Sequence, residues 1–131
     1  MEIVNVLVAA AAGFAFGAFW YGILSAAWMD ASGVAVGADG KPANSSDPKP
    51  YIFGFIAMIL VAGMMRHTFM LSGIDTVGKG LISGFGIGLF MAAPWLMICY
   101  GFAGRPMKLL MIDGGYAAIG SAVIGVVLTL F

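Results

Sequence analysis

The sequence predicts an all-α, polytopic membrane protein: one domain of four transmembrane helices in an antiparallel bundle. The first observation is composition, because 62% of the 131 residues are apolar and only 9% are charged. A soluble domain carries about a quarter charged residues. The second observation is that the apolar residues form four runs, each near the roughly 20 residues that a helix needs to cross a bilayer core. The third is a single long polar stretch, residues 30–50.

The apolar runs set the expected bounds of the transmembrane helices, which are about residues 4–25, 51–71, 80–102 and 107–131. The first run follows Glu2 rather than a basic leader and is longer than a signal-peptide core, so we expect a retained membrane helix. Trp20 and Tyr21 end this run, as aromatic residues often do at a membrane interface.

The polar stretch at residues 30–50 contains three prolines and several turn-forming residues, so we expect a flexible surface connector. A short interfacial helix is possible just before it, at residues 26–32. In the second run, Arg66 is close enough to the helix end for its long side chain to reach the headgroups. In the third run, Pro94 predicts a kink, and Pro106 marks the start of the fourth helix.

Small residues recur at four-residue spacing in three of the runs, which puts them on one helix face and allows close helix packing. The residues are Gly13, Gly17, Gly80, Gly84, Gly88, Ala117, Ser121 and Gly125. Because these stripes exceed what one small bundle needs to close, they predict association. The expected partners are membrane lipid, further copies of the chain, or subunits of a larger membrane complex.

The distribution of basic residues gives an expected orientation. Four spans place both termini on one side of the membrane. The side of the long loop carries Lys41, Lys49, Arg105 and Lys108, and the side of the termini carries Arg66 and Lys79. Basic residues are enriched in cytoplasmic loops, so we expect periplasmic termini in a bacterial inner membrane.

Polar and aromatic side chains collect where the first and third helices end and the fourth begins. The candidate site comprises Trp20, Tyr21, Arg105, Lys108, Asp113 and Tyr116. Asp113 is about 9 Å below the start of its helix, given a rise of about 1.5 Å per residue. A carboxylate at that depth has to pair, take up a proton or face water.

Two interpretations of this site stay open. The nearest cations in the sequence are Arg105 and Lys108, and Tyr21 or Tyr100 could donate a hydrogen bond from a neighbouring helix. The cluster then serves either to fix helix packing, or to bind a ligand or handle a proton.

Several function classes find no support in the residues. Net charge is zero and basic residues are not grouped, so nucleic-acid binding is not expected. His67 and Cys99 fall toward opposite membrane faces, and Asp113 has no second deep carboxylate for acid–base work. We therefore expect no enzyme activity, no metal site and no cofactor.

Three motifs carry a resemblance to a known family: Gly17-Ala-Phe-Trp-Tyr21, Ala27-Trp-Met29, and above all Gly104-Arg-Pro-Met-Lys-Leu-Leu-Met-Ile-Asp-Gly-Gly-Tyr116. The chain resembles the bacterial domain-of-unknown-function 1761 family of small proteins with four membrane helices. The family's Trp-Tyr element maps to Trp20 and Tyr21. Its last element maps to Gly104, Arg105, Pro106, Lys108, Asp113, Gly115 and Tyr116.

The chain departs from that family pattern at two positions. Ala103 stands where members often have an acidic residue, and Ala117 stands where many have a histidine. Both changes remove ionisable groups, which weakens a proton-relay or metal interpretation. The prediction for function is a non-enzymatic structural or accessory membrane subunit. The alternative is a small oligomeric transporter or channel-like protein for a proton or small solute.

Overall fold

The computed structural model describes residues 2–131 and is helical throughout, apart from the connections. The helices are α1 (Glu2–Ile23), α2 (Ser25–Ser32), α3 (Lys49–Ser72), α4 (Val77–Ile87), α5 (Ala93–Phe102) and α6 (Met107–Leu128). A π-helical turn, Gly88–Ala92, joins α4 to α5 without a break. The segments α1, α3, α4–α5 and α6 are each long and apolar enough to cross a membrane. The predicted all-α class with four membrane-length helices is confirmed.

The fourth span, α6, is the centre of the bundle. In its most apolar stretch 44% of the residues are buried, against 28% in α1, 17% in α3 and 11% in α4–α5. Helix α6 packs along α4 on one side and along α1 on the other, and α3 packs mainly on α1. The bundle is therefore built outward from α6, and α3 and α5 do not close over it.

Two of the small-residue stripes face each other between the third span (α4 and the start of the π-helical turn) and α6. The opposed pairs are Gly80 with Gly125, Gly84 with Ser121, and Gly88 with Ala117. An added Cβ at Gly84 would lie 3.0 Å from the carbonyl carbon of Ser121 and 3.1 Å from the Cα of Ala122. The backbones thus touch, as small residues permit between membrane helices. The inference that these stripes exceed what one bundle needs was wrong, because the chain uses them to pack its own helices. Association with other chains stays a prediction.

The glycines of α1 accommodate side chains of α6. A Cβ at Gly13 would lie 2.8 Å from Cγ1 of Ile124, and one at Gly17 would lie 2.7 Å from the hydroxyl oxygen of Tyr116. Ile124 is 1% exposed and belongs to the apolar core of the bundle. These glycines therefore set how closely α1 approaches α6.

The third span changes its helical geometry just before Pro94. The Ala93 N–H donates to the carbonyl of Gly88, five residues earlier, which makes one wide turn. Proline has no N–H, and its ring crowds the carbonyl four residues before it. The expected local disturbance at Pro94 takes the form of this π-helical turn, which removes the need for a regular α-helical turn around the ring.

A second polar cluster, which was not predicted, lies at the end of the bundle opposite to Asp113. Asn5 is 1% exposed. Its amide nitrogen donates to the carbonyl oxygens of Leu128 (3.3 Å) and Phe131 (3.0 Å), and its amide oxygen accepts from Nη1 of Arg66 at 2.8 Å. Arg66 was expected to extend to the headgroups, but it turns inward, because Asn5 and the end of α6 offer acceptors there. A cation near a helix C-terminus is also favoured by the helix dipole.

Candidate functional site

The central group of the site is the Asp113 carboxylate, which is held by two tyrosines from other spans. The Tyr21 hydroxyl, on α1, donates to Oδ1 at 2.6 Å, and the Tyr100 hydroxyl, on α5, donates to Oδ2 at 2.5 Å. Hydrogen bonds to an ionised acceptor are short and strong. The carboxylate therefore ties α1 and α5 to α6.

Two further aromatic residues lock α1 against α6 beside the carboxylate. The Trp20 indole N–H donates to the carbonyl of Ile112 at 2.9 Å, and the Tyr116 hydroxyl donates to the carbonyl of Gly13 at 3.0 Å. The Trp20 ring lies over Gly115, where a Cβ would come within 2.8 Å of it. Each helix thus supplies a glycine that accepts the other helix's aromatic ring.

The tyrosine rings also contact each other. The Tyr21 and Tyr116 ring centroids are 5.3 Å apart with an interplanar angle of 73°, and Tyr21 meets Trp28 of α2 at 6.1 Å and 79°. These are edge-to-face arrangements, which are favourable for aromatic pairs. They hold the Tyr21 hydroxyl in place beside Asp113.

Arg105 and Lys108, the nearest cations in the sequence, make other contacts, and of the candidate partners of Asp113 it is Tyr21 and Tyr100 that donate to it. The Arg105 guanidinium donates to the carbonyl of Ser32, at the end of α2. The Lys108 ammonium forms an ion pair with Asp30 at 3.1 Å, and both side chains are exposed. These two residues connect α2 to the start of α6. The hydrogen bonds to the Asp113 carboxylate come instead from Tyr21 and Tyr100.

The turn between α5 and α6 brings Tyr100 and Asp113 to the same level. Gly104 has φ +68°, the left-handed conformation that glycine adopts at helix ends. The Arg105 N–H then donates to the carbonyl of Tyr100 at 2.9 Å. Pro106 has an extended backbone (φ −69°, ψ 150°) and directly precedes Met107, the first residue of α6. The Gly-Arg-Pro motif is therefore the reversal that returns the chain beside its own third span.

A cleft of about 340 Å³ is lined by Asp113 and by residues of α3, α5 and α6. Its walls are α3 and α5, and its floor is α6. The lining residues are Tyr21, Met58, Val61, Ala92, Leu96, Tyr100, Asp113, Tyr116, Ala117, Gly120, Ser121 and Ile124. Sequence reasoning missed the α3 and α5 walls, but it named Tyr21 and Tyr100 as possible hydrogen-bond donors to Asp113.

The cleft combines an apolar lining with one carboxylate at its polar end. Among its described lining residues, Asp113 is the only acidic group, and neither histidine nor cysteine is present. His67 and Cys99 are both exposed and lie elsewhere. No group of three His, Cys, Asp or Glu residues in the range 2–131 is placed to hold a metal ion. The arrangement can therefore accept hydrogen bonds, or exchange a proton or cation.

Comparison with known proteins gives a family but no relative of established function. No match to the chain was found among curated proteins or among solved structures. A family model matches residues 4–129, which covers all four spans and every residue of the site. The chain therefore belongs to the family described as protein of unknown function, DUF1761.

Proposed function

We propose that the chain is a non-enzymatic integral membrane protein with a structural or accessory role, and that the Asp113 cluster fixes its assembled form. The main support is that each tyrosine hydroxyl and the tryptophan N–H of the cluster donates a hydrogen bond to an acceptor within the chain. Tyr21, Tyr100, Trp20 and Tyr116 join three of the four spans. Hydrogen bonds between membrane helices contribute about 0.6 kcal/mol each on average, so four contribute about 2 kcal/mol.

The cellular setting is also part of the proposal. The family resemblance favours a bacterial inner membrane, and the excess of basic residues on the long-loop side favours periplasmic termini. Association with further copies or with a larger membrane complex remains proposed. It is tested by native mass spectrometry of protein extracted gently from its own membrane. A homo-oligomer or stoichiometric foreign subunits support association, and a monomer contradicts it.

The structural role is tested by removing one hydroxyl from the cluster. Tyr100→Phe is expected to lower the free energy of unfolding by about 1 kcal/mol, because Asp113 loses one of its two donors. Tyr51→Phe is the matched control, since the Tyr51 hydroxyl makes an exposed bond to the carbonyl of Ser45. That control is expected to change stability by less than about 0.5 kcal/mol. Equal stabilities of the two variants would contradict the structural role.

A second candidate, a small oligomeric transporter or channel-like protein, is supported by the cleft that Asp113 lines. A carboxylate accessible within the membrane is a common element of proton and solute pathways. Proton flux into liposomes containing the purified protein tests it, with Asp113→Asn as the variant. If Asp113→Asn abolishes flux but leaves stability and assembly unchanged, the transporter replaces the structural role as the proposed function.

A further inference from the structure

We propose that the cleft between α3 and α5 binds a lipophilic primary amine, with its ammonium group on Asp113 and its alkyl part along the apolar walls. This goes beyond the structural role and gives the second candidate a ligand class. It rests on the charge of the site, on its unused hydrogen-bonding capacity, and on the shape and lining of the cleft.

The first step concerns charge. Within residues 2–131 no cation pairs with Asp113, since Arg105 donates to Ser32 and Lys108 pairs with Asp30. Arg66 is bound to Asn5 at the opposite end of the bundle. An isolated carboxylate in a medium of low dielectric constant is unfavourable unless a cation or proton compensates it. A cationic ligand supplies the charge that the chain itself does not.

The second step concerns hydrogen bonds. Each carboxylate oxygen of Asp113 accepts one bond, from Tyr21 or from Tyr100. A carboxylate offers about four lone-pair sites, so about two remain, and an ammonium group provides three donors. The Tyr116 ring also lines the cleft, and tyrosine faces attract cations. A primary ammonium therefore matches the polar end better than a hydroxyl group or an anion does.

The third step concerns the apolar part. The cleft volume of about 340 Å³ falls within the range of small-molecule sites, roughly 300–1,000 Å³. Val61, on the α3 wall, and Leu96, on the α5 wall, are examples of its apolar lining. The ligand is a free amine rather than an aminophospholipid, because no basic residue lines the cleft in the described chain to receive a phosphate.

The test measures protection of Asp113 from a hydrophobic carbodiimide, which reacts with carboxyl groups in membranes. The protein is placed in nanodiscs of phosphatidylcholine, which has no primary amine. Loss of the unmodified Asp113 peptide is followed by mass spectrometry, so that an octylamide formed from the activated carboxyl counts as reaction and not as protection. Octylamine at ten times its Kd is expected to slow labelling of Asp113 about tenfold, by mass action. Octanol, which has the same chain and no charge, is expected to leave the rate unchanged.

Two tryptophan variants on α3 separate binding in the cleft from a general effect of the amine on the membrane. Val61→Trp fills the cleft and is expected to abolish protection by octylamine, while Tyr21 and Tyr100 keep their bonds to Asp113. Ile56→Trp is the matched control, because Ile56 is 49% exposed and lies outside the cleft lining. It is expected to retain the tenfold protection.

Three outcomes would overturn the proposal: equal protection by octanol, equal protection of Val61→Trp and Ile56→Trp, or no protection by octylamine. Protection in nanodiscs that contain phosphatidylethanolamine, without added octylamine, would assign the site to a lipid headgroup and so overturn the free-amine ligand. None of these results alters the stability comparison of Tyr100→Phe with Tyr51→Phe. Failure of the ligand and failure of the structural role are therefore distinguishable.

Discussion

The contact between α4 and α6 makes a sharp prediction for two glycines that are two residues apart on one helix. Gly84 faces α6, and a Cβ there would meet the backbone of Ser121 and Ala122. Gly86 faces away, and a Cβ there would meet nothing within 4 Å. The variants Gly84→Ala and Gly86→Ala therefore make the same chemical change in two different surroundings.

The expected magnitudes follow from these surroundings. Alanine at Gly86 is favourable by roughly 0.5–1 kcal/mol, because glycine is a poor helix former. At Gly84 the neighbouring atoms belong to the backbone and cannot rotate away, so the helices have to separate. A gap of about 0.5–1 Å loses a quarter to a half of the dispersion attraction across the contact, and overpacking typically costs about 1–3 kcal/mol. We expect Gly84→Ala to be destabilised by about 2 kcal/mol, some 3 kcal/mol below Gly86→Ala.

The assay is reversible unfolding by sodium dodecyl sulfate in mixed micelles, followed by tryptophan fluorescence. Oligomer size is measured on the same samples by native mass spectrometry, because a change in association would otherwise enter the free energy. Gly84→Ala and Gly86→Ala variants of equal stability would refute the close backbone contact between α4 and α6. Loss of oligomer without loss of monomer stability would place Gly84 at an interface between chains instead.

Three further predictions concern the turn, the second polar cluster and an exposed ion pair. Gly104→Ala is expected to lower the thermal midpoint, because its φ of +68° costs a side chain about 1–2 kcal/mol. Gly101→Ala, within α5 and with open space around its Cβ, is expected not to lower it. Asn5→Leu and Arg66→Met are expected to couple by about 0.5–3 kcal/mol in a double-mutant cycle, and strict additivity would contradict their contact. The hydrogen bond from Lys79 lowers the pKa of Asp75 below its ordinary value of 3.8. The stabilisation from this ion pair is therefore present above pH 3.8 and is lost as the pH falls through the folded-state pKa of Asp75. The midpoint difference from Asp75→Asn is expected to shrink below pH 3.8, and a difference independent of pH would exclude the pair as its source.

The four spans were predictable because membrane-length apolar runs are a strong signal. The stripes of small residues were predictable too, since a four-residue spacing puts them on one face. The partner of each stripe was not. Spacing defines a face on its own helix but says nothing about which helix meets it, so Gly84 was assigned to association when it packs against Ser121.

The position of Asp113 followed from helical rise, but its partners did not follow from sequence distance. Lys108 is five residues from Asp113, which is about 140° around the helix at roughly 100° per residue, so it points elsewhere. Arg105 precedes Pro106 and lies outside the helix. Helix geometry therefore argued against an ion pair of Asp113 with either Lys108 or Arg105. The approach of Tyr21 and Tyr100 depends on how α1 and α5 pack on α6, which the sequence alone does not specify.

The inward turn of Arg66 was missed for a different reason. Asn5 is a single amide in an apolar run, and long basic side chains usually have water within reach. Only the packed bundle shows that Asn5 and the last carbonyls of α6 lie nearer to Arg66 than the headgroups do.

The wide turn at Gly88–Ala92 also sets the angular phase of the third span. A π-helical turn holds one residue more than the regular helix, and each residue of an α-helix advances by about 100°. Deleting one residue there would rotate everything beyond it by about 100° relative to the first half of the span. Gly84 would still face α6, but Tyr100 would swing away from Asp113. Because of the extra residue, the first half of the span can make its backbone contact with α6 while the second half places Tyr100 against Asp113.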